Sequence, residues 1–124
     1  MSNTTPPEHA WVLLDIPRAL QQVGDMEALQ GMLPMLQELL DRDVEHIGQL
    51  LADGDVRAAN GLLHALKGCM PIFCAPSLCE QLAQVEFLSK TTSADVVGVA
   101  YTALHPKLKG LQQEIVNFLA QTTD

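Results

Sequence analysis

Residues 55–73 read DVRAANGLLHALKGCMPIF, and the spacing of apolar side chains in this stretch decides how the chain folds. Wound at about 100° per residue, Ala59, Leu62, Leu63, Leu66, Cys69, Met70 and Phe73 gather within a sector of about 120°. Arg57, Asn60, Gly61, His64, Lys67, Gly68 and Pro71 gather on the opposite side, with His64 at its centre. The stretch therefore predicts an amphipathic helix over 55–73 that buries its leucines and presents a histidine to solvent. Each glycine inside a helix costs roughly 0.5–1 kcal/mol relative to alanine. Gly61 and Gly68, on either side of His64, thus point to a need for close approach to the backbone there.

The flanking segments carry the same periodicity. From Asp25 to about Ala52, Leu29, Leu33, Leu36, Leu40, Val44, Ile47 and Leu51 advance by threes and fours, a long helix expected to bend or break at Pro34. Gly54 offers that helix a C-terminal cap, and Asp55 an N-cap for the next. Ala75, Pro76 and Ser77 mark a fresh start, after which Leu78, Leu82 and Val85 face a core from a helix ending near Ser89. Beyond a turn at Lys90, Thr91 and Thr92, Ser93 caps a last helix built on Val97, Tyr101, Leu104, Leu108, Leu111, Ile115 and Phe118, with a kink expected at Pro106. At the other end, WVLLDIPRALQQVGD supplies a short first helix with Asp15 as N-cap and Pro17 in its first turn, and Trp11 is expected to dock on the core.

Helices joined by short loops must lie antiparallel beside one another. The expected fold is all-α: an antiparallel up-down-up-down four-helix bundle with a short extra N-terminal helix. Residues 1–10 form a flexible lead and 11–121 a single domain, and Met1 with this lead is what a separate small protein would carry.

Composition bounds the function. Aromatic residues make up only 4% of the 124 residues, so leucine, alanine, valine and methionine fill the core, a mix that suits helices. Fifteen acidic against seven basic residues leave a net charge of −8, which argues against nucleic acid and anionic membrane surfaces as partners. No apolar run approaches a membrane span, and MSNTTPPEHA has neither a basic start nor an apolar stretch after it, so a cytoplasmic location is expected. Cys69, Cys74 and Cys79 recur every five residues, match no zinc-ligand spacing and read as reduced, packed thiols.

An exposed imidazole is a competent nucleophile toward an activated phosphoryl group. Lys67, three residues on, shares its face and can neutralise phosphoryl oxygens. No GxxxxGK[ST] loop or kinase-type glycine loop is present to handle ATP. A metal enzyme is disfavoured: His9, His46, His64 and His105 lie on separate segments, and Asp43 with His46 forms one isolated DxxH. His105 is followed by Leu108 and Lys109 at the places where His64 has Lys67 and Gly68, and reads as a boundary residue before Pro106.

From His64 to Leu78 the chain reads HALKGCMPIFCAPSL, which resembles the HxLKGxxxxxGxxxL core of histidine phosphotransfer (HPt) domains of multistep phosphorelays. GDVRAANGLLHALKG and VGDMEALQGML also resemble that family's helix boundaries, and the likeness covers about residues 15–120. The resemblance implies that His64 accepts a phosphoryl group at Nε2 from a receiver-domain phospho-aspartate and relays it to another receiver in two-component signal transduction. It implies that Lys67 steadies the phosphoryl oxygens and that Gly68 leaves room for the receiver. Arg57, Asn60, Gly61 and Pro71 would then belong to the docking surface. The implied partners are response-regulator receiver domains and a hybrid sensor histidine kinase. The module would be a monomer and a phosphorelay intermediate rather than an ATP-dependent kinase, with no cofactor of its own and Mg²⁺ on the partner. Pro71 and Cys74 depart from the family pattern, Cys74 standing where glycine is frequent, which leaves open an HPt-like adaptor that docks a receiver or kinase without phosphotransfer.

Overall fold

The structure, a computed structural model, describes residues 12–122. The lead over 1–10 and the expected docking of Trp11 lie outside the described residues. Five helices follow one another: α1 (Ile16–Val23), α2 (Met26–Ala52), α3 (Val56–Cys69), α4 (Pro76–Thr91) and α5 (Ala94–Thr122), with a 3₁₀ turn, Met70–Ile72, after α3. Among the described residues no strand forms, only an isolated antiparallel bridge between Leu14 and Cys74.

The starts of α1, α2 and α3 are set by aspartate side chains that satisfy free amides of the first turn. Asp15 accepts from Arg18 N at 3.1 Å, Asp25 from Ala28 N at 2.8 Å and Asp55 from Ala58 N at 3.1 Å. Gly24 and Gly54, with φ of 106° and 83°, adopt the left-handed conformation that lets the chain leave one helix just before the aspartate that starts the next. Both Gly-Asp pairs seen in the sequence therefore act as a stop followed by a start.

Leucine and valine at helical spacing do the packing. All seven apolar residues that define α2 and all seven that define α5 are buried, as are Leu78, Leu82 and Val85 of α4. Each such side chain contributes about 1.5–3 kcal/mol when withdrawn from water. α2 packs against α3 and α5, and α4 packs against the same two helices, so the core lies within a closed circuit of contacts. Pro34 and Pro106 are exposed, and α2 and α5 each continue through their proline as one helix. The missing amides fall on the solvent side, so the break expected at Pro34 does not occur.

The histidine helix is shorter than the pattern over 55–73 predicts: α3 ends at Cys69. Pro71 has no N–H for the carbonyl of Lys67, and the chain tightens into the 3₁₀ turn, where a proline in the first turn leaves no donor wanting. The exit is held from outside by the segment before α1. Asp15 N donates to Phe73 O at 2.8 Å, and Ala75 N donates to Leu13 O at 2.9 Å. Arg18 Nε donates to Pro71 O at 3.1 Å. Glu114 of α5 in turn accepts from Leu13 N at 3.0 Å and Leu14 N at 2.9 Å.

No helix of the described residues is long and apolar enough to cross a membrane.

Candidate functional site

α3 presents His64 on the flank that faces α4, and its side chain is 72% exposed. The helical projection centres His64 on the polar side, but packing rotates that side so that one edge, Asn60 and Lys67, leans on α4. What they lean on is Glu86, whose carboxylate comes from α4 and is almost wholly buried, with 1% side-chain exposure. Asn60 Nδ2 donates to Glu86 Oε2 at 3.1 Å and to Ser89 Oγ at 2.8 Å. Lys67 Nζ donates to Glu86 Oε1 at 3.3 Å, and Lys90 Nζ, one turn along α4, lies 3.5 Å from the same oxygen. His64 Nδ1 stands 3.5 Å from Glu86 Oε2.

Buried carboxylates are tolerated only when paired and hydrogen-bonded. Burial pushes the Glu86 carboxyl up, but the hydrogen bonds from Asn60 and Lys67, with the charges of Lys67 and Lys90, outweigh it and hold the carboxyl below the usual glutamate value. Glu86 is thus an anion at neutral pH. Two ammonium groups meet one carboxylate, so before His64 is counted the cluster holds one positive charge in excess. A carboxylate at Nδ1 favours the tautomer with the proton on that nitrogen, leaving a lone pair on Nε2 across the ring. An anionic group attached at Nε2 would find the excess charge of Lys67 and Lys90 beside it.

The residues singled out by the sequence are thus brought together only in part. His64 and Lys67 share Glu86. Gly61 and Gly68 are exposed on the same helix, and a Cβ added to either would meet nothing within 4 Å. Intramolecular packing does not require them to be glycine, and the same holds for Gly31 of α2 and Gly98 of α5. Arg57 is exposed. Asn60, expected on the docking rim, is half-buried and turned into the α3–α4 groove to hold Glu86. Pro71 is half-buried in the 3₁₀ turn with its carbonyl taken by Arg18.

Glu86, Ser89 and Lys90 were missed as site residues. The available signal was polarity out of place: Leu78, Leu82 and Val85 continue into Glu86 and Ser89 on the inward side of α4, where apolar residues are expected.

The other histidine cluster differs in kind. His105 Nε2 lies 3.0 Å from Glu45 Oε2, with Lys109 Nζ at 3.3 Å, and Glu45 is 66% exposed, so this is a surface ion cluster with no buried charge at its centre. Among the described residues no group of His, Cys, Asp and Glu could hold a metal ion. Burial pushes the thiols of Cys74, Cys69 and Cys79 up, which suppresses the reactive thiolate.

Compared with family models, curated proteins and solved structures, the chain has no match.

Proposed function

We propose that this chain is a histidine phosphotransfer module of a phosphorelay, with His64 as phosphoacceptor. What carries the reading is the pairing of an exposed imidazole with a buried, ionised carboxylate at Nδ1, on a helix whose neighbouring glycines stand open. The fold proposed with it is an antiparallel up-down-up-down four-helix bundle of α2 to α5, with α1 as the short extra helix. The circuit of contacts among α2 to α5 and the short connections between them support that topology. The module would work as a cytoplasmic monomer between receiver domains and a hybrid sensor kinase.

In the forward step the Nε2 lone pair of His64 attacks the phosphorus of a receiver's aspartyl phosphate. The bond from phosphorus to the aspartate oxygen breaks, and that oxygen leaves as carboxylate. The proton on Nδ1 stays in place, and Glu86 offsets the positive charge that develops on the ring. Lys67 meets the phosphoryl oxygens, consistent with a transfer governed by position and charge. Mg²⁺, which such a step uses, belongs to the receiver. The reverse step delivers the group to an aspartate of a second receiver.

The test is incubation with a receiver domain phosphorylated on aspartate with labelled phosphate. Label should move to this chain in an acid-labile, base-stable form and should be absent from His64→Gln. Label retained by that variant would sink the assignment, and receiver binding without any transfer would leave the non-catalytic adaptor.

A further inference from the structure

We infer that Phe87 of α4 is the apolar anchor on which the receiver docks, so that the partner sits across the α3–α4 flank of the bundle. This rests on the phosphotransfer reading of His64. A stable interface covers about 800 Å² on each partner, a disc of about 16 Å radius. Transfer requires that disc to be centred near His64 Nε2. Phe87 follows Glu86, whose carboxylate lies 3.5 Å from the His64 ring, and adjacent Cα atoms are about 3.8 Å apart. The Phe87 backbone therefore lies within the radius of such a disc, and its ring is linked to the same cluster through Lys90.

What Phe87 offers there is unusual for this chain. Phe73, Phe118 and Tyr101 are buried, whereas Phe87 is 59% exposed, alone among the aromatic residues described. With Ala83, Gln84 and Leu88 it borders an open depression of about 410 Å³ on the outer side of α4. Lys90 joins it to the site, since its Nζ lies 6.0 Å from the Phe87 ring centroid and 3.5 Å from Glu86 Oε1. Interface cores favour exposed aromatic side chains of this kind.

Charge selects the same occupant. On a chain of net charge −8, three of the seven basic residues, Arg57, Lys67 and Lys90, stand on α3 and α4 around His64. The one acid at their centre, Glu86, is buried. The matching surface is an acidic phosphoryl pocket rimmed by aliphatic side chains, which is what a receiver's aspartate and metal-binding acids would present. An acidic chain draws such a partner through this local island rather than through its overall field.

The experiment measures the dissociation constant of a beryllofluoride-activated receiver domain for the wild type, Phe87→Ala and Val99→Ala, the receiver being the fastest phosphodonor to the wild type. Val99 is 76% exposed on α5 and serves as the control. Phe87→Ala should weaken binding about 10-fold or more and leave the circular dichroism spectrum unchanged, while Val99→Ala binds as the wild type does. Labelling of His64 by phosphoramidate, a small donor that needs no docking, should be the same in all three. Equal receiver affinity for Phe87→Ala and the wild type overturns the anchor while leaving phosphotransfer intact. So does a dimer of the wild type that Phe87→Ala dissociates without loss of receiver affinity. Failure of the wild type to accept label from any receiver or from phosphoramidate overturns the phosphotransfer reading, and the anchor with it.

Discussion

His64 Nδ1 and Glu86 Oε2 face one another at 3.5 Å, an exposed imidazole on α3 against a buried carboxylate on α4. On the phosphotransfer reading, a carboxylate beside Nδ1 favours the tautomer that leaves Nε2 free. Glu86→Gln keeps the shape and removes the negative charge beside Nδ1. A charge contact with one exposed partner is worth about 1 kcal/mol, so phosphoryl uptake should slow about 5-fold. Rapid-quench kinetics would measure it, and an unchanged rate would show that Glu86 has only a structural part.

The same carboxylate makes stability depend on pH in a defined direction. Unfolded, Glu86 titrates near the ordinary value of 4.5, and folded it titrates lower because Asn60, Lys67 and Lys90 outweigh its burial. The stabilisation is therefore complete above the ordinary value and is lost as pH falls through the folded one, because there the unfolded chain binds a proton that the folded chain does not. In urea titrations the advantage of wild type over Glu86→Gln should be constant near neutrality and shrink below about pH 4.5. An advantage that grows on acidification would refute the assignment.

How much of this was legible beforehand can be judged residue by residue. The seven-membered rows of α2 and α5 survive intact because long helices at a steady period leave no doubt about the inward face. His64 and Lys67 could be read as neighbours, since one helix turn fixes them. Glu86 could not, because its meeting with His64 depends on how two helices rotate against each other, and no single-helix periodicity carries that angle. Asn60 was read as outward for the same reason. The end of α3 was misjudged by the continuing apolar rhythm of Met70 and Phe73, which the 3₁₀ turn also buries.

Gly68 separates stability from function. Its φ is not positive and an added Cβ would meet nothing within 4 Å, so Gly68→Ala should fit without strain. The substitution should raise unfolding free energy by about 0.5–1 kcal/mol through helix propensity alone. If a receiver docks at His64 as proposed, transfer from it should nonetheless fall, since the added methyl group would narrow its approach. Denaturation and transfer rates measured on one preparation would show the two effects moving in opposite directions.

The thiols should respond to folding rather than to oxidants. Cys74 is fully buried, and Cys69 and Cys79 are partly so, with burial pushing each thiol up. At pH 8 an aromatic disulfide reagent should modify Cys69 and Cys79 slowly and leave Cys74 untouched until urea unfolds the chain. Fast modification of Cys74 in the native protein would contradict the packing described.

The strap before α1 has a consequence for the order of assembly. Leu13 hydrogen-bonds to Glu114 across 101 residues, and the same Leu13 receives the amide of Ala75 at the exit of the histidine helix. During synthesis, α3 and α4 can bring His64 to Glu86, and the strap can bond to the exit through Asp15, Leu13 and Arg18, while α5 is still unmade; only the acceptor for the Leu13 and Leu14 amides must wait for Glu114. The exit of the histidine helix is thus tied to the strap before the strap itself is moored to the last helix.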